Sequence, residues 1–139
     1  MEILVKDFVK ITYNDSTEII NVGWPVNPTS DEIRIGLNAG RDFVKENNVK
    51  KWLGNTTHMD AIDEADMEWI NNQWFPTLLE AGVQKMAVIV STNVFGKMAV
   101  EDIISKVETV NGFESRYFDN EEEATEWLKT ADVKAVVTS

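Results

Sequence analysis

The sequence predicts an α/β domain, and three observations predict it. Two stretches near the start, Phe8 to Tyr13 and Thr17 to Trp24, alternate β-branched or aromatic side chains with polar ones around the turn residues Asn14-Asp15-Ser16. Later stretches carry apolar residues at i, i+3, i+4 and i+7, the period of a helix packed on one face. Between these lie short apolar runs such as Met86 to Val90, too short for a typical helix and bounded by polar residues, as strands buried on both faces are. Together they describe an N-terminal hairpin followed by alternating βα units: a single-layer mixed β-sheet of about five strands packed with about four helices.

Taken in order, the hairpin ends at Trp24, where Pro25 and Pro28 break the alternation. Thr29-Ser30-Asp31-Glu32 then forms a capping box, in which the Thr29 hydroxyl accepts from the Glu32 amide and the Glu32 carboxylate accepts from the Thr29 amide. In the first helix Ile33, Gly36, Leu37, Gly40 and Val44 share one face, with Phe43 beside them. Each interior glycine costs about 1 kcal/mol relative to alanine, so something must approach the backbone closely there. Close packing onto the sheet is the expectation, with a ligand as the alternative.

Val49 to Leu53 reads as a short strand that leaves through Gly54-Asn55-Thr56-Thr57. Five acids between Asp60 and Glu68 suit the positive end of the next helix. Its inner stripe is Met67, Ile70, Trp74, Leu78 and Ala81, which places Trp69 outward and Phe75 and Leu79 on a flank. Pro76 predicts a kink or a restart, and Gly82 a C-cap. A third helix carries Val100, Ile103, Ile104 and Val107 inward, and a strand follows at Phe113 to Phe118. The last helix has Ala124, Trp127, Leu128 and Ala131 on one face, and acids in its first turn. Val133 to Thr138 fits either an edge strand or a tail.

Length and composition bound the partners. The 139 residues fit one domain, 1–139, with no repeat or linker to divide it. A net charge of −11 repels phosphate backbones and anionic lipid, so neither nucleic acid nor a membrane is an expected partner. Without cysteine there are no disulfides or thiolate chemistry. Charges within Met1 to Ile11 interrupt any signal-peptide core, and no apolar run reaches membrane length, so a cytoplasmic location is expected.

The order Lys51-Trp52-Leu53-Gly54-Asn55-Thr56, Glu68-Trp69-Ile70, Trp74-Phe75-Pro76, Ala81-Gly82, the apolar strand, and Tyr117-Phe118-Asp119 with Ala124, Trp127 and Leu128 resembles the SpoIIAA-like branch of the STAS domains found in Bacteroidetes-type bacteria. The resemblance implies a STAS-like fold. It also implies binding of a partner protein through the loop and helix after a central strand, switched in the best understood members by phosphorylation of a serine that follows an aspartate. Here Asn55 to Glu64 contains no serine. Phosphate on Thr56 or Thr57 would add about −1.5 to −2 charge beside the acids, a repulsive placement, so no intact phosphoswitch is expected. Related branches are similar to lipid-binding CRAL-TRIO domains, which implies a carrier of a small apolar ligand as the alternative.

The expected contact region is Asn55, Thr56, Thr57, His58, Asp60 and Asp63, with Trp69, Phe75 and Leu79 on the outer face of the following helix. That apolar face also predicts a homodimer. A carrier would use Trp24, Phe43 and Trp52. His58, the single histidine, stands among Asp60, Asp63 and Glu64, but a helix start produces such a cluster through dipole complementation alone, and neither a metal nor a cofactor is expected. Ser91 and Ser105 lack the Gly-x-Ser-x-Gly turn of a serine hydrolase, and the glycines lie inside a helix rather than in a phosphate loop. The sequence therefore reads as a non-enzymatic binding domain.

Overall fold

A computed structural model describes residues 1–59, 63–91 and 113–129. In them the chain forms one sheet whose strands lie side by side in chain order: β1 (Glu2–Val5), β2 (Lys10–Asn14), β3 (Ile19–Gly23), β4 (Lys51–Asn55), β5 (Lys85–Ile89) and β6 (Glu114–Phe118). β1, β2 and β3 are antiparallel, whereas β3 through β6 run parallel. The mixed α/β sheet matches the expected class, with six strands rather than about five. The extra one is β1, whose bulge between Glu2 and Leu4 interrupts the period-2 pattern by which a strand is recognised.

α1 (Ser30–Asn47) starts with the capping box expected at Thr29 and Glu32 and ends at Asn48, whose left-handed backbone (φ 55°) closes the helix. Its buried face is Ile33, Gly36, Gly40 and Val44. The two glycines make room for two indoles. A Cβ on Gly36 would stand 2.5 Å from Cη2 of Trp24, and one on Gly40 2.5 Å from Cη2 of Trp52. Trp74 completes the arrangement: it meets Trp52 edge to face at 5.4 Å, and its Nε1 donates to the carbonyl of Leu37 at 3.0 Å.

The second helical segment differs from a simple amphipathic helix. α2 (Glu64–Trp69) passes into a π-helical stretch (Ile70–Trp74) and then α3 (Phe75–Ala81), with Pro76 in its first turn and Gly82 as a left-handed cap. The Phe75 amide donates to Ile70, five residues back. Proline cannot continue the i to i−4 ladder, and the wider turn absorbs the fault just before it. One extra residue in the turn also advances the helix face. Of the expected stripe of Met67, Ile70, Trp74, Leu78 and Ala81, Trp74 and Leu78 are buried, Ile70 and Ala81 are half-buried against the same core and Met67 is half-buried, while Asp66 and Phe75 are buried without having been expected there.

Two cores result, one on each face of the sheet. α1 and the segment from α2 to α3 cover the first face, over Val9, Ile11, Ile20, Val22, Trp52 and their neighbours. α4 (Glu121–Lys129) covers the second, where Ala124 and Leu128 pack on Ile19, Leu53, Ala87 and Ile89. Trp127 is half-buried there, tilted on Phe118 at 5.8 Å, with the buried Lys85 ammonium 4.3 Å from its ring centre and ion-paired to Glu114. Inside the fold the Lys85 side chain meets both a carboxylate and an aromatic face. β5 lies between β4 and β6, with Ala87 and Ile89 buried on one face and Met86 and Val88 only half-buried on the other, short of the expected burial on both faces. No helix among the described residues is long and apolar enough to cross a membrane. The expected third helix, Ala131 and Val133 to Thr138 lie outside the described residues.

Candidate functional site at the carboxyl edge of the sheet

Because β3, β4, β5 and β6 point the same way, their carboxyl ends meet along one edge, the place where open α/β sheets present their binding loops. Backbone hydrogen bonds step across it. The Trp24 amide donates to Asn55 at 3.1 Å, Thr56 to Ile89 at 2.8 Å, and Val90 to Phe118 at 2.9 Å. The loop after β4 is thereby anchored on both sides.

Within that loop the side chains of Asn55, Thr56 and Thr57 are hydrogen-bonded. Asn55 Oδ1 accepts from the Thr57 amide at 3.0 Å and from the Thr57 hydroxyl at 2.5 Å, which bends the chain out of the strand. The Thr56 hydroxyl donates to the Ile89 carbonyl at 2.8 Å, and the Met59 amide closes a turn onto Thr56 at 3.0 Å. Met59 is buried in the first core, so the loop is pinned at its far end. His58, at the tip of this turn, is exposed. Asp63 is exposed at the N-cap of α2 and makes no capping bond, and Asp60 lies outside the described residues.

The topology adds charge to the same edge. Each described helix that follows a parallel strand begins there, and each begins with acids: Asp31 and Glu32 in α1, Glu64 and Asp66 in α2, Glu121, Glu122 and Glu123 in α4. Asp66 is turned inward. Its carboxylate accepts from Ser30 Oγ at 2.7 Å and from the Arg34 guanidinium at 3.1 Å, and so clamps α2 to the start of α1. Asp31, Asp63, Glu64, Asp119, Glu121, Glu122 and Glu123 are exposed, as is Val26 in the loop before α1. Negative side chains at helix N-termini are locally stabilising, so this rim carries little folding cost.

The residues expected on the helix face are placed differently. Phe75, expected on an exposed flank, is buried edge to face against Phe113 at 5.0 Å, because the π-helical turn rotates it inward. Trp69, expected to point outward, is half-buried beneath the Arg34 guanidinium, 4.7 Å from its ring centre, and Leu79 packs against the first core. The apolar face on which the expected homodimer was built is therefore largely spent on the protein's own core. Of the expected carrier residues, Trp24 and Trp52 are buried under the glycines of α1, and Phe43 packs on Tyr13 at 5.3 Å.

The edge thus brings together Asn55, Thr56, Thr57, His58 and Asp63, and leaves Trp69, Phe75 and Leu79 to packing. That the acids of α1 and α4 share one edge of the sheet with this loop was not anticipated, although strand direction, once known, requires it. Among the described residues no three histidine, aspartate or glutamate side chains are grouped to hold a metal ion. In comparisons with known proteins, the chain matches no family model, no curated protein and no solved structure.

Proposed function

We propose that the chain is a non-enzymatic binding domain that recognises a protein partner through the carboxyl edge of its sheet, and that the partner presents a basic surface. The observation that carries this reading is the combination of a pinned loop, Asn55 to Met59, with a rim of exposed carboxylates gathered from three helix starts. A preordered loop loses little conformational entropy on binding, and a one-sign rim steers an oppositely charged partner. Regulation by threonine phosphorylation is not part of the proposal. Both hydroxyls already donate, Thr56 to the Ile89 carbonyl and Thr57 to Asn55 Oδ1, and phosphate there would break those bonds and add charge of the sign the rim already carries. The STAS resemblance agrees in placing the contact after a central strand and remains a proposal, as do a cytoplasmic location and self-association.

The test is capture from a native extract on immobilised chain, comparing wild type with the triple reversal Glu64→Lys, Asp119→Lys, Glu122→Lys. A protein retained by wild type, lost from the variant and released by about 0.5 M salt is expected, because exposed charge interactions are screened within a few ångströms at that strength. Retention of the same protein by both would refute the rim. Native mass spectrometry of the purified chain addresses the carrier alternative, which requires a co-purifying small apolar molecule.

A further inference from the structure

We draw no further inference here: the strongest candidate, the buried and unpartnered Ser115 hydroxyl beside Tyr117 on the first-core face of β6, carries nothing because nothing among the described residues shows what covers that face.

Discussion

Gly40→Ala is expected to destabilise the protein although it replaces the poorer helix former with the best one. On an exposed helix the change would gain about 1 kcal/mol. At this position the new Cβ would stand 2.5 Å from Cη2 and 3.0 Å from Cζ3 of Trp52, against a comfortable carbon–carbon separation of about 3.5–4.0 Å. The indole cannot swing away. Trp52 is 3% exposed and meets Trp74 edge to face, and Trp74 is tied to the Leu37 carbonyl of the same helix. Helix and indole must therefore separate by about 1 Å, an overpacking strain of about 3 kcal/mol that leaves a net loss of about 2 kcal/mol. For a chain of this length that lowers the midpoint of thermal unfolding by about 6–10 °C.

The assay is urea and thermal unfolding followed by circular dichroism, which avoids the tryptophan signal being altered, on wild type, Gly40→Ala, Trp52→Phe and the double variant. Phenylalanine lacks the outer ring that the new methyl strikes. The double variant should therefore be more stable than the sum of the single changes predicts, by at least about 1 kcal/mol. A Gly40→Ala protein as stable as wild type, or strict additivity in the cycle, would refute the account of the glycine as a seat for Trp52.

Trp127→Ala should cost about 2–3 kcal/mol in urea, below the range for a fully buried tryptophan because the side chain is half-buried, and a loss under 1 kcal/mol would mean that α4 does not depend on it. Asp66→Ala should cost about 2 kcal/mol: it strands the Ser30 hydroxyl and Arg34, but the guanidinium is about a third exposed and can recover water, and an unchanged melt would show the clamp to be dispensable. Ser115→Ala should be neutral or stabilising by up to about 1 kcal/mol, since it removes a buried hydroxyl without a partner; a clear loss in the same assay would mean that the hydroxyl is paired. Burial pushes the Tyr117 phenol from 10.0 up to about 12. The folded chain keeps a proton that the unfolded chain releases, so this contribution to stability is whole below pH 10 and is lost as the pH rises toward 12. Wild type should then lose more stability than Tyr117→Phe between pH 9 and 11; equal losses would place the phenol in water.

Local chemistry was legible without a structure wherever neighbours in sequence decide it. The Thr29 and Glu32 box, the Asn14 turn and the Gly82 cap depend on groups within a few residues of one another, and the apolar periods of α1 and α4 depend only on which residues repeat. Even the demand for close approach at Gly36 and Gly40 could be read, because a helix carries such residues only at a cost. Which side chains fill those gaps could not: Trp24, just past β3, and Trp52, in β4, each lie more than ten residues from the glycine they meet, and nothing local distinguishes them from Phe43 or Trp69.

The candidate site divides the same way. Asn55, Thr56 and Thr57 announced a loop, but the Thr56 hydroxyl is taken by the Ile89 carbonyl, a partner 33 residues on, while the Thr57 hydroxyl stays within the loop on Asn55 Oδ1. Phe75 departs from its expected place because a strict 100° per residue carries through a helix only while every turn has the same width. The π-helical turn before Pro76 added a residue, turning Phe75 into the core, and Arg34 covered the face of Trp69. The acids of α1, α2 and α4 were visible one helix at a time. Only the parallel run from β3 to β6 sets their starts along one edge, since strand direction is settled by pairing between distant segments and not by the residues of any one of them.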